Sequence, residues 1–469
     1  SLIAANISAE QIIGMSGQGF VVGMAIAVWE LTAAIALIIM AKYFLPLFLE
    51  KRIYTMPQFL EQRFDKRVSL VLSFFWLIVY IFINLTSVLW LGSLAINALT
   101  GLDLFYGLVL LAIFSLAYSL SGGLKAVAMT DGVQVILLIF GGLAVSFIAL
   151  NIISESNGVM EGMRIVMNEM PEKFDMVLSS DNSSYKDLPG IWILLGLGVW
   201  IGHFFYWGFN QYITQRALAA KDIKEAQKGV MFAAYLKLLM PIVIVLPGIC
   251  AAILFPMLEK SDQAYPTMMS LLPNGLLGLT FAALIAAIVS SLASMSNSIS
   301  TIFTMDIYKY FKNDNVTQSK LIQVGRITVI VSVLIATLVA QPLLGSFESI
   351  FQYIQNFTGY FSPGIVVIFL VALFWKKATS LSVLVAALIS LIASILLSIN
   401  FPELPFIHRM TLVFVLSAIG CIATTHLQGY KDQKKAIDLS TVNFSTSKAF
   451  NLNTVVIVYV LVCIYVAFA

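Results

Sequence analysis

Charge is scarce in this chain. Of 469 residues, 27 are Lys or Arg and 24 are Asp or Glu, 11% together, against 60% hydrophobic residues and a mean hydropathy of +0.94. A soluble globular domain carries about 25% charged residues, so the composition excludes that class and indicates an integral membrane protein. Histidine and cysteine are rare, three of each. His203 falls in one apolar segment and His408 and His426 at the two ends of another; with no metal cluster, Ser/His/Asp set or phosphate-binding loop in view, an enzyme is not expected. Cys250, Cys421 and Cys463 all lie in apolar stretches, as packing residues rather than a disulfide framework. No hydrophilic segment is long enough for a separate soluble domain, and the net charge of +3 singles out no partner; no nucleic acid is expected.

What is present is a series of apolar runs. A hydrocarbon core of roughly 30 Å needs about 20 helical residues to cross it, and runs of that order occur near 19–47, 68–98, 103–122, 126–154, 190–215, 229–256, 274–308, 322–343, 348–375, 377–399, 408–427 and 453–469. They read as helices, because barrel strands would be shorter and would alternate. Every second connection is basic: Lys51, Arg52, Arg63, Lys66 and Arg67; Lys125; Arg216, Lys221, Lys224 and Lys228; Lys309, Lys312, Lys320 and Arg326; Lys376 and Lys377; Lys431, Lys434 and Lys435. The positive-inside rule puts these in the cytoplasm and the acidic 155–189 connection outside. The opening polar segment is about half the length of a crossing, so the sequence is expected to begin inside its first helix.

Five spans lie between 1 and 154 and five between 190 and 375. An odd number per half makes the second half enter the membrane from the opposite side, the arithmetic of an inverted-topology repeat with sites at mid-membrane where broken helices meet. The expected organisation is a first repeat over 1–154, an exterior loop over 155–189, a second repeat over 190–375 and peripheral helices over 376–469.

Ionisable groups within spans usually face a bundle interior. Here they are Glu30, Lys237, Asp131 near a cytoplasmic end, and His203; Gln11, Asn84, Gln352, Gln355 and Asn356 are uncharged companions. One acid, one base and several planar amides suit a neutral ligand rich in hydroxyls, whereas an anion would call for Arg, and no Arg is expected deep in a span. A structural Glu–Lys pair is the plainer alternative. Tyr206 and Trp207 could offer a flat face to a sugar ring, or serve as packing.

The stretch AAIVSSLASMSNSIST, 286–301, can be read as close helix packing through small residues or as part of a hard-cation site, with the Ser290 and Ser291 hydroxyls near the Ala287 carbonyl. Such a site needs further oxygens from backbone released from its helical bonds. The opening AANISAE, with Asn6, Ser8, Glu10 and Gln11 crowded together, reads as a break that could supply them.

IAANISAEQIIGMSG, GFNQYITQRALAAKDIKEAQKG, AAIVSSLASMSNS, IFTMDIYK and FQYIQNFTGYFSPG resemble the solute:sodium symporter family, in particular its bacterial galactose-transporting members, over nearly the whole chain. The resemblance implies an all-α LeuT-type fold of two inverted five-helix repeats plus peripheral helices, in a bacterial inner membrane, and sodium-coupled import of a monosaccharide such as a galactose- or glucose-like hexose. It implies sodium held by the carbonyls of Ala4, Ile7 and Ala287 and the hydroxyls of Ser290 and Ser291, and sugar held by Gln11, Glu30, Asn84, Lys237 and Gln355. Tyr206, assisted by Asn6, would close the cytoplasmic side with Trp207 beside it. Met15, Trp29 and Phe351 would cap the outer side, and Asp131 would lie along the sodium exit path. Three positions depart from the galactose pattern: His203 stands where an Asn contacts sugar, Ala33 replaces a Ser, and Trp29 replaces a Tyr. Another small solute (an amino acid, carboxylate or vitamin) or a sensory domain built on the same fold are the competing readings.

Overall fold

A computed structural model describes residues 2–50, 53, 55–312 and 316–468, without the side chains of 121–129. Lys51, Arg52 and the Lys125 side chain, from the expected basic loops, lie outside the described residues. Those residues contain helices and no strand. Among the described residues nine helices are long and apolar enough to cross a membrane, from Met24–Glu50 to Lys448–Ala467, and a tenth if Ile350–Gly359 and Ser362–Phe374, bent by 51°, form one span. Most coincide with the apolar runs of the sequence, as the length argument requires.

The spans at 103–122 and 126–154 carry one continuous helical assignment, Leu104–Ile153. Twelve residues of straight helix rise about 18 Å, yet the hydroxyls of Tyr118 and Thr130 meet at 2.5 Å. The chain therefore folds back between them. The Met24–Glu50 span has 83% of its apolar window buried, against 17% for Lys448–Ala467, which puts the first at the centre of the bundle and the last at its edge.

Two crossings are interrupted. In the first, the ladder stops at Ile7 N→Ile3 O, 2.8 Å, and resumes at Ile12 N→Ser8 O, 2.9 Å, while Ser8 N turns to Asn6 O instead. Among the described residues the Ala4 and Ile7 carbonyls thus accept no backbone N–H. The second interruption, unforeseen, lies in 190–215: helix Gly198–His203 passes through a π-helical turn, Phe204–Phe209, to an extended Asn210 (φ −80°, ψ 123°) before helix Gln211–Leu218. Tyr80 meets the freed groups there. Its hydroxyl donates to Asn210 Oδ1 at 2.7 Å and accepts from Gln211 N at 3.0 Å, which is how irregular backbone survives at membrane depth.

The outer half of the first crossing, Ser16–Val22, ends at Gly23 with φ +86°, a conformation that only glycine adopts cheaply. Lys173, from the exterior connection, caps its last carbonyls by donating to Phe20 O at 3.0 Å and Val21 O at 2.5 Å. Gly248 lets this helix cross Leu246–Leu254 closely, since a Cβ there would lie 2.0 Å from Ser16 O, the small-residue contact expected between membrane helices.

Candidate functional site

The interrupted crossings and the bent pair converge on a buried cavity lined by Asn6, Glu10 and Gln11 from the first crossing, Trp29 and Glu30, Asn84, His203, Phe205, Tyr206 and Trp207 from the second, Lys237, and Phe351 and Gln355 from the bent pair. All six residues expected at the ligand therefore meet in one place, although their sequence positions span 344 residues, from Gln11 to Gln355. π-Helical turns carry much of the lining: Glu10–Met15 holds Glu10 and Gln11, Val79–Leu85 holds Asn84, and Phe204–Phe209 holds the aromatic cluster. An inserted residue re-aims side chains that a regular helix would direct elsewhere, and such turns recur at functional sites.

At the centre, Lys237 Nζ donates to Glu30 Oε1 at 2.9 Å and Oε2 at 2.7 Å, with both side chains nearly wholly buried. It also donates to Asn6 Oδ1 and sits 5.1 Å from the Trp207 ring centroid. The ammonium thus bonds protein acceptors, the Glu30 carboxylate of the plainer reading and the Asn6 amide oxygen in addition. Asn6 Nδ2 donates to Tyr206 Oη at 3.1 Å, and Tyr212 Oη donates to the same oxygen at 2.9 Å. The carbonyl oxygens of Gln11 and Asn84 and Oε1 of Glu10, all buried, have no partner among the described residues. Buried polar atoms are normally satisfied, so these three acceptors are able to receive hydroxyl or amide donors.

On the outer side, Trp29 stacks on Phe406, with centroids 6.5 Å apart and planes at 14°. Met15, expected beside it in the outer cap, is fully buried in the helix core and does not line the cavity. Phe406 and Met410 do line it, so helix Phe406–Leu427, expected to be peripheral, contributes to the site. Beyond this layer Gln18 Nε2 donates to Ser349 Oγ at 2.8 Å, and the Ile350 amide donates to Asp262 Oδ2 at 2.9 Å. Burial pushes the Asp262 carboxyl up to about 7, against the opposing pull of the Ile350 amide and Lys260.

The expected cation ligands lie apart from the cavity, where the broken segment Leu2–Asn6 packs against Asn274–Thr301. Ala4, Ile7, Ala287, Ser290 and Ser291 are all buried. The Ser291 hydroxyl has no partner among the described residues, and the Ala4 and Ile7 carbonyls are released; these are hard oxygen donors of the kind an alkali cation takes. Ser290 Oγ instead donates to Asp131 Oδ1 at 2.8 Å, so the residue expected on an ion exit path touches one of the expected ion ligands directly. Asp131 Oδ2 also pairs with Arg216 Nη1 at 2.6 Å, both side chains almost fully buried, and Arg216 Nη2 donates to Ser294 Oγ at 2.5 Å. Arg216 overturns the expectation that no Arg lies deep. Its neighbours Lys221, Lys224 and Lys228 make it look like loop charge, and nothing local to it signals otherwise. Thr32, whose hydroxyl lies 2.7 Å from His203 Nε2, was likewise not singled out.

The sodium:solute symporter family model matches residues 1–393. A sodium/glucose cotransporter of Vibrio parahaemolyticus is 45% identical over 488 residues, covering 100% of this chain and 89% of that one. Human sodium/myo-inositol cotransporter 2 is 33% identical over 80% of this chain and 60% of its own length. Among solved structures, a Na+-coupled sialic acid symporter in a substrate-bound outward-open state superposes with a TM-score of 0.79 at 22% identity, covering 92% of this chain and 89% of that one. That likeness establishes the LeuT-type fold, with its two inverted five-helix repeats and peripheral helices.

Proposed function

Because the chain belongs to the sodium:solute symporter family, with sodium as its co-transported ion, we propose that it imports a neutral monosaccharide, a galactose- or glucose-like hexose, across a bacterial inner membrane by alternating access. The observation that carries the substrate class is the donor and acceptor set of the cavity: Lys237 and Glu30 neutralise each other, Asn84 bonds the second acid, Glu10, and the Gln11 and Asn84 amide oxygens have no partner among the described residues. No Arg lines the cavity, so nothing is arranged for a carboxylate. Ring hydroxyls would donate to those amides, and the Tyr206 and Trp207 rings, perpendicular at 79°, would meet the C–H face of the sugar. Similarity to a sodium/glucose cotransporter supports the same class.

The broken segment supplies the coupling. Its Ala4 and Ile7 carbonyls, with Ala287, Ser290 and Ser291, would hold sodium, while Asn6 and Gln11 of the same segment line the sugar cavity. Sodium that orders residues 4–8 also orders Asn6, which bonds both Lys237 and Tyr206. Coupling of this kind is reciprocal, so sugar raises sodium affinity by the factor that sodium raises sugar affinity. The repeats would divide as 1–154 and 190–375.

Sodium-gradient-driven uptake into proteoliposomes, with a panel of radiolabelled hexoses, tests the reading. One sodium driven by about 100 mV and a tenfold gradient supplies roughly 2.3 plus 1.4 kcal/mol, enough for accumulation on the order of several hundred-fold. Expected is sodium-dependent accumulation of at least one hexose at one sodium per sugar. Uptake of an amino acid or carboxylate with no hexose competition would overturn the substrate class, and a ratio near two would reveal a second ion site.

A further inference from the structure

His203 Nε2 and Thr32 Oγ1 are 2.7 Å apart, both buried, and Thr32 Oγ1 lies 2.5 Å from the Val28 carbonyl oxygen one helical turn back. A threonine hydroxyl has a single proton. A carbonyl oxygen can only accept, so at 2.5 Å the proton must lie between Thr32 and Val28 O; otherwise two lone-pair-bearing oxygens would face each other at a repulsive distance. The hydroxyl is then left with lone pairs toward His203. Nε2 must therefore be the protonated nitrogen, and in a neutral imidazole Nδ1 is the acceptor. The Trp29 and Trp200 rings meet the imidazole edge-on at 5.7 and 6.2 Å, and a half-turn of the ring would put Cε1 where Nε2 meets Thr32 and forfeit that bond. His203 lines the cavity, and its hydrogen bond to the described residues is made at Nε2, to Thr32.

We propose that Thr32 is a specificity-determining positioning residue: by holding His203 as the Nε2–H tautomer it presents Nδ1 to the cavity as an obligate acceptor for one substrate hydroxyl. The inference rests on the sugar-transport reading for the identity of the ligand, but not for the tautomer. A primary amide at the same place offers a donor and an acceptor and can turn to suit the ligand. The Thr32–His203 pair offers an acceptor alone. It requires a ligand group that donates at that point, and it repels one that can only accept, such as fluorine or a methyl ether.

The test combines a spectroscopic and a transport readout on the full-length protein. With 15N-histidine labelling, the His203 ring nitrogens, assigned by their disappearance in His203→Asn, should show Nε2–H in the parent and in Thr32→Ser, which keeps the hydroxyl. Thr32→Val keeps the shape and removes the acceptor, and its His203 should move to the Nδ1–H form. In transport, a set of singly deoxyfluorinated hexoses should contain one position at which fluorine weakens competition by about tenfold in the parent, the scale of one hydrogen bond to a site built to receive it. That discrimination should fall to near unity in Thr32→Val and return in Thr32→Ser. Nδ1–H in the parent, or Thr32→Val leaving either the tautomer or the fluorine discrimination unchanged, overturns the proposal. If no hexose competes at all, the sugar reading fails and the nitrogen spectra alone decide the role of Thr32.

Discussion

The Lys237 ammonium lies 2.9 and 2.7 Å from the two carboxylate oxygens of Glu30, and the two residues are 207 positions apart in the chain. Both side chains are sealed from solvent, so each charge is tolerable only because the other is there. Removing one partner of such a pair costs about 3–5 kcal/mol, because the survivor is left charged and desolvated. Lys237→Ala should therefore lower the melting temperature in detergent and abolish sugar uptake. Lys237→Met combined with Glu30→Gln should recover most of the melting temperature without recovering uptake. Normal sugar affinity in Lys237→Ala would remove both residues from the binding site.

Ser291 offers a cleaner separation of fold from function. Its hydroxyl is buried and bonds none of the described residues, so Ser291→Ala forfeits no hydrogen bond to them and relieves an unsatisfied polar group. Thermal stability without sodium should hold or rise slightly. The sodium concentration for half-maximal uptake should rise on the order of tenfold, each factor of ten being about 1.4 kcal/mol. Unchanged sodium dependence would make Ser291 a packing residue.

Arg216 and Asp131, 2.6 Å apart, tie the Gln211–Leu218 helix to the proposed sodium ligands through Ser290. Arg216→Met should destabilise the protein by about 3–5 kcal/mol and, by leaving Asp131 to compete for the Ser290 hydroxyl, alter sodium affinity. Asp131→Asn with Arg216→Met should restore stability more than either single change. Additive melting-temperature losses in the double variant would show that the two charges do not act as a pair.

The Asp262 carboxyl, in the exterior connection before helix Asn274–Thr301, is pushed up from 3.8 to about 7 by burial. The folded protein then binds a proton that the unfolded chain has released across that interval. Stability consequently falls as pH rises from about 4 through about 7 and levels off above it. Asp262→Asn keeps an oxygen for the Ile350 amide without the titration. Its melting temperature should exceed the parent's at pH 8 and match it more closely at pH 5. Parallel pH profiles for the two proteins would show that Asp262 does not govern this dependence.

The membrane class, the all-α fold and most spans were legible in the sequence, because crossing a hydrocarbon layer forces every backbone group into a helix and every helix to a minimum apolar length, constraints that act on each segment by itself. The break at Ala4–Ser8 was legible for a related reason: Asn6, Ser8, Glu10 and Gln11 cannot all face lipid, and their crowding marks a helix that opens inside the protein. The break at Asn210 was not, since Tyr80, which satisfies it, lies 130 residues away. Glu30, Lys237 and His203 could be picked out as expensive residues, but a buried charge says only that it needs a partner. That Lys237 is committed to Glu30, that Asp131 holds Arg216, and that Thr32 fixes the proton on His203 were decided by tertiary structure, which alone sets the distances of 2.6 to 2.9 Å over which these groups act. In a low-dielectric interior the energy of a polar group depends on what stands within one hydrogen bond of it, and that neighbour is chosen by the packing of helices far apart in sequence.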